Sequence, residues 1–140
     1  MTAEYSIAVH GLVFLLHKDR IVTSEELAVN ICTNPAKVRK VMAKLKQEGL
    51  VSSSEGKGSG YHSVEHAADI TLYQVLDVLG ERMVTSSWHS GNVDMECLIA
   101  SGMSAVMDGI YQDMNGICQE YLSKITIGAI QEKIFTPKQS

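Results

Sequence analysis

Apolar positions recur at helical spacing through most of the 140 residues. From Ala3 to Lys18, Ile7, Ala8, Gly11, Leu12, Leu15 and Leu16 step by three and four, which predicts a helix with one broad apolar face. Ile21-Val22 reads as a short extended link. Thr23 stands three residues before Glu26, a capping-box spacing, and opens a short helix whose inward face is Leu27, Ala28 and Ile31. Cys32-Thr33 turns the chain. Asn34 as N-cap and Pro35 at the first helical position start a longer helix to Glu48, with Val38, Val41, Met42 and Leu45 as its core stripe and Gly49 to end it. Leu50 to Ser54 and Tyr61 to Val64 then read as two strands joined by the loop Glu55 to Gly60. Thr71 caps a further helix through Leu72, Val75, Leu76 and Leu79, stopped by Gly80.

The pattern lapses over residues 81–94, which are polar and irregular around Trp88-His89-Ser90-Gly91-Asn92. It returns in the longest helical stretch, Met95 to Lys124. There Met103, Val106, Ile110, Met114, Ile117 and Tyr121 step by 3, 4, 4, 3 and 4, nearly a coiled-coil seam. These six residues are assigned to pairing with a second copy of the chain. Thr126 to Lys133 predicts a last short helix, and residues 136–140 a frayed tail.

Charge changes this picture at one place. The helix Asn34–Glu48 carries Lys37, Arg39, Lys40, Lys44 and Lys46 and no acid before its last residue. On a helical wheel, Ala36, Ala43 and Gln47 lie opposite the core stripe. Lys37, Lys40 and Lys44 line one flank, and Arg39 and Lys46 the other. Small residues in the middle let a backbone approach a groove, and basic residues on both sides reach its phosphate walls. A helix, a turn, a basic helix and a glycine-rich hairpin, in that order, predict a winged helix-turn-helix reader of double-stranded DNA. The residues assigned to the contact are Asn34, Pro35, Lys37, Arg39, Lys40, Lys44, Lys57, Ser59 and Tyr61. The fold class is mainly α: a winged helix-turn-helix domain with a two-stranded β-wing, plus a long C-terminal dimerisation helix. The expected boundaries are a DNA-binding domain over 1–80, a linker loop over 81–94, and a dimerisation helix with a C-terminal segment over 95–140.

The net charge of −4 is compatible with this, because it is unevenly placed. Residues 1–66 carry net +1 and residues 67–140 net −5. Cys32, Cys97 and Cys118 are an odd, widely spaced set, which argues against a disulfide framework and for a reducing, cytoplasmic setting. No apolar run is long enough to span a bilayer, so no membrane association is expected. Cys97 near the start of the long helix is a candidate redox thiol, since a helix N-terminus favours a thiolate.

Other chemistries find little purchase. The loop Gly56-Lys57-Gly58-Ser59-Gly60-Tyr61 has no G-K-[ST] ending, and Tyr61 stands where a dinucleotide fingerprint needs glycine. His10 and His17 are seven residues apart with no converging ligands, so no metal site and no cofactor are expected. There is no G-x-S-x-G, H-E-x-x-H or C-x-x-C, and no enzyme activity is predicted.

Five stretches in order resemble the Rrf-two family of bacterial transcription regulators, over nearly the whole length. They are Tyr5 to Val9 (YSIAV), Leu45 to Val51 (LKQEGLV), Gly56 to Tyr61 (GKGSGY), Asp69 to Leu72 (DITL) and Ile125 to Gly128 (ITIG). The resemblance is to the family's YwnA-like branch. It implies a winged-helix homodimer joined by the long helix, acting as a repressor on a palindromic operator. Two departures follow. Cluster-holding members carry three cysteines about six residues apart before the long helix. Only Cys97 falls on that pattern here: Gly91 and Thr85 stand six and twelve residues earlier, and Ala100 stands where a histidine follows. One thiolate cannot hold a cluster that needs three or four ligands, so a regulator without an iron–sulfur cluster is expected. Glu55 also replaces the Arg that precedes the first glycine of the wing. The alternatives are a redox-sensing regulator acting through Cys97, a small-molecule effector near Trp88–Asn92, and a winged-helix interaction module that binds a partner enzyme.

Overall fold

The structure, a computed structural model, describes residues 2–86 and 88–136. The described residues form six α-helices and one hairpin: α1 (Ala3–Lys18), α2 (Ser24–Ile31), α3 (Pro35–Gln47), β1 (Val51–Ser54), β2 (Gly60–Ser63), α4 (Leu72–Val78), α5 (Leu98–Leu122) and α6 (Ile127–Phe135). The fold is the expected mainly helical one with a two-stranded wing. It divides into two compact units, Met1–Glu81 with Leu122–Ser140, and Arg82–Tyr121. The tail expected beyond Thr136 lies outside the described residues.

In the first unit, side-chain caps set the helix starts. The hydroxyls of Thr2, Thr23, Thr71 and Thr126 and the amide of Asn34 each accept a backbone N–H from the first turn of their helices. Thr71 and Gln74 complete a reciprocal capping box on α4. The apolar stripes then close on one another. Leu12 and Leu15 of α1, Leu27 of α2, and Val38, Val41, Met42 and Leu45 of α3 are all 1% exposed or less. The Met42 methyl fills the space beside Gly11, where a β-carbon would lie 2.6 Å from it.

The hairpin is antiparallel, with Val51 opposite Ser63 and Ser54 opposite Gly60. What reads as a link at Ile21-Val22 is part of the wing's foundation. Val22 and Tyr61 exchange two backbone hydrogen bonds of 2.8 Å. Gly60 makes that approach possible, because a β-carbon there would lie 2.6 Å from the Val22 carbonyl oxygen and 2.9 Å from the Val22 carbonyl carbon. Gly60 is thus a close-contact glycine rather than part of a flexible tip. Gly60→Val should destabilise the first unit by about 1–3 kcal/mol through forced backbone movement. Urea unfolding measures the loss, and hydrogen exchange at the Val22 and Tyr61 amides should accelerate most.

Helix α6 packs on α1 and on the 3-10 turn Ala67–Asp69. Thr71 and Thr126 form a β-bridge, and the Ile127 N–H donates to the Ile70 carbonyl at 2.8 Å. The segment after α5 therefore belongs with the winged unit and not with the long helix, to which the sequence-based division joined it. Its amphipathic pattern does not name its partner; the backbone pairing at Thr71 does.

In the second unit, α5 begins three residues later than the periodicity suggests. A turn closed by the Met95 N–H on the Asn92 carbonyl (3.1 Å) precedes it, and Cys97 takes the capping place. Asn115 fastens the preceding loop by two hydrogen bonds to the Val84 backbone, at 2.9 and 2.8 Å. Of the 25 residues of α5, only Leu122 is buried. Cys118 is half-buried. No helix among the described residues is long and apolar enough to cross a membrane.

Candidate nucleic-acid interface

Helix α3 presents its basic residues on two flanks because its four core positions all fall on one side. On one flank, Arg39, Ala43 and Lys46 line a groove of about 540 Å³ that is shared with α2 and the wing. The opposite wall is Ser53 to Gly56, Ser59, Gly60 and Tyr61, and Thr23, Ser24 and Glu25 close the end. Arg39 donates to the Ser24 hydroxyl at 3.3 Å and lies 3.8 Å from the Glu25 carboxylate. Tyr61 is half-buried, and this desolvation raises its phenol pKa, so it remains a neutral hydroxyl. Lys57 stands exposed at the loop tip between Gly56 and Gly58, both at positive φ (86° and 81°).

The other flank faces the start of α1. Lys44 and Lys40 hold the two oxygens of one carboxylate, Glu4, each at 2.9 Å. Lys37 and Lys40 line a smaller cavity of about 370 Å³ with Glu4, Ile7 and Glu81. Glu81 accepts a short hydrogen bond from the Thr2 hydroxyl. The hydrogen bonds from Lys44 first, then Lys40, hold the Glu4 carboxyl below its ordinary value of 4.5. This pairing stabilises the fold above the unfolded pKa of Glu4, and the contribution is lost as pH falls through the lower folded value.

Of the nine expected contact residues, eight fall into three groups, and Lys57 stands apart at the loop tip. Arg39, Ser59 and Tyr61 share the wing groove. Lys37, Lys40 and Lys44 lie on the flank beside Glu4. Asn34 and Pro35 shape the start of α3, where the Asn34 side chain accepts the Lys37 N–H at 2.9 Å. Lys46 belongs with the first group although the sequence-based contact set omits it. The signal was available, since it sits seven residues after Arg39 on the same flank. Cys32, in the turn after α2, is exposed at a left-handed helix end (φ 65°).

Glu4 neutralises charge that Lys40 and Lys44 would otherwise offer to phosphates. Such exposed pairs contribute about 0–1 kcal/mol, so a phosphate can displace them. Glu4→Gln should tighten binding to any duplex and steepen its salt dependence. Lys40→Ala should weaken binding on all sequences and flatten the log–log salt slope by about one. Fluorescence anisotropy on one duplex at several salt concentrations reads both. Equal slopes in all three proteins would remove this flank from the interface.

Comparison with known proteins decides the family. A family model named Rrf2 and described as "Iron-dependent Transcriptional regulator" matches residues 1–133. The chain belongs to the Rrf2 family. Its relatives include the HTH-type transcriptional regulator IscR of Photobacterium profundum, 23% identical over 93% of this chain and 69% of IscR. YwnA of Bacillus subtilis is 21% identical over 96% of this chain and 99% of its own length. A crystal structure from Lactobacillus plantarum shares the fold, with a TM-score of 0.81 at 24% identity, over 96% of this chain and 91% of that one. The Rrf2 family consists of transcriptional regulators rather than enzymes, and this chain is a DNA-binding regulator.

The iron in the family's description finds no fitting donor set here. Among the described residues no three His, Cys, Asp or Glu side chains gather, and all three cysteines are free. Gly91, six residues before Cys97, is at φ 71°, and a β-carbon there would lie 2.0 Å from the Ala100 carbonyl oxygen. The Asn92 N–H donates to that same oxygen at 3.0 Å. A cysteine at 91 is thus excluded by the local backbone.

Proposed function

We propose that the protein is a cytoplasmic, sequence-specific repressor that binds a palindromic operator as a homodimer, without an iron–sulfur cluster. The observation that carries this reading is the groove between α3 and the wing, where Arg39 and Lys46 face Ser59 and Tyr61. It provides charge for the phosphates beside hydroxyls that hydrogen-bond. The second half of the reader comes from α5. Met103, Val106, Ile110, Met114, Ile117 and Tyr121 are 38% to 69% exposed in the single chain. A contiguous apolar row of this kind is a liability unless it is covered. Pairing two copies along it gives two reading helices for successive major grooves, about 34 Å apart. The absence of a fitting ligand set around Cys97 among the described residues supports the cluster-free part of the reading.

Sedimentation velocity with labelled genomic fragments tests it. A dimer bound to few fragments at moderate salt is the expected result. A monomer that binds all fragments equally would contradict it.

One observation favours a redox input. The Cys97 sulfur is exposed and accepts the N–H groups of Ala100 and Ile99, which lower its thiol pKa. Iodoacetamide should label Cys97 ahead of Cys32 and Cys118 at neutral pH. Operator release by peroxide should be lost in Cys97→Ser; release that persists in this variant would place the input elsewhere.

A further inference from the structure

The second unit contains a small cavity of about 330 Å³ that the DNA reading does not use. One wall is the loop Trp88-His89-Ser90. The other is one side of α5: Met103, Ser104, Met107 and Tyr111. Two thioethers, one imidazole and one indole line it, although the sequence separates the loop residues from the methionines by 13 positions or more. His89 is also oriented. Its Nε2 lies 2.9 Å from the Asp108 carboxylate, on the same helix. With Nε2–H donating to Asp108, Nδ1 keeps its lone pair. Metal-ligating histidines have this arrangement: a carboxylate takes the other ring N–H and fixes the tautomer.

We propose that this cavity binds a soft monovalent d¹⁰ cation, copper(I), through the sulfurs of Met103 and Met107 and Nδ1 of His89. Thioether and imidazole donors select copper(I) over magnesium, calcium and manganese, which take oxygen ligands. The indole of Trp88 supplies a π face, which attracts cations. Asp108 supplies a compensating negative charge one bond network away. Hard or borderline ions have no comparable place, because among the described residues no cluster of His, Cys, Asp and Glu exists. Trp88 is 75% exposed, so the cavity loads from solvent. Met103 begins the stripe assigned to pairing. Met107 lies beside that stripe and widens it, so Met107→Leu keeps the apolar bulk and removes only the sulfur.

The test needs no DNA, so it stands apart from the regulator reading. Trp88 is the only tryptophan, so its fluorescence reports this site alone. The full-length protein is titrated without oxygen with copper(I) buffered by bicinchoninate, and in parallel with silver(I) as a redox-inert surrogate. One equivalent of either ion should quench Trp88, in the native chain and in Cys97→Ser alike. Met107→Leu and His89→Gln should each weaken binding at least roughly tenfold, and Asp108→Asn by roughly tenfold through the lost orientation of His89. X-ray absorption of the copper(I) form of the native protein should show sulfur and nitrogen neighbours. The proposal is overturned if Trp88 is not quenched, if Met107→Leu and His89→Gln bind as tightly as the native chain, or if quenching disappears in Cys97→Ser.

Discussion

Reversing the charge of the wing groove, with Arg39→Glu and Lys46→Glu together, should abolish specific DNA binding while the protein stays folded. Both side chains are exposed, and neither is among the buried side chains of α3, so their cost to stability is small. Their cost to binding is large. Each reversal removes a phosphate or base-edge partner and places a carboxylate in a groove that already holds Glu25 and Glu55. A single good base or phosphate contact is worth about 1–3 kcal/mol, so the two losses together should weaken binding by roughly 30-fold or more, and the added carboxylates increase this. Gel shifts at fixed salt measure the loss, and unchanged thermal unfolding shows that the fold survives. Binding within tenfold of the native protein would place the reading surface elsewhere on the molecule.

Met42→Ala should have the largest effect on stability. Met42 is fully buried, and its methyl lies where a side chain on Gly11 would otherwise be. Truncation leaves a cavity that α1 cannot close, because Gly11 has no side chain to relax into it. A loss of about 2–5 kcal/mol is expected, against less than about 1.5 kcal/mol for the volume-conserving Met42→Leu. Urea unfolding monitored by circular dichroism separates the two. Because α1 also carries Glu4, Met42→Ala should disturb the pairing with Lys40 and Lys44, whereas Met42→Leu should preserve it.

Much of this architecture is legible in the chain. The stripe Val38, Val41, Met42 and Leu45 names the core of α3 residue by residue. Asn34-Pro35 and Thr71 mark their helix starts, and the glycine-rich loop announces the wing. These features are local, and their physics acts within one or two turns. What stays hidden depends on contacts distant in sequence. Glu4 meets Lys40 and Lys44 some 36 to 40 residues away. Tyr61 pairs with Val22, and α6 returns to α1 through Thr126 and Thr71. The loop at His89, which lines the cavity, is held by Asp108 and Asn115 and has no periodicity to read.

Two copies of the α3–wing surface are expected to read one operator. Genome-wide footprinting of the purified protein tests this directly. The account predicts protected sites that share an inverted repeat, with half-site centres one helical turn or a small multiple apart (about 34 Å per turn), and their loss in the Arg39→Glu, Lys46→Glu protein. Protection without a repeat, or a footprint that survives both reversals, would contradict it.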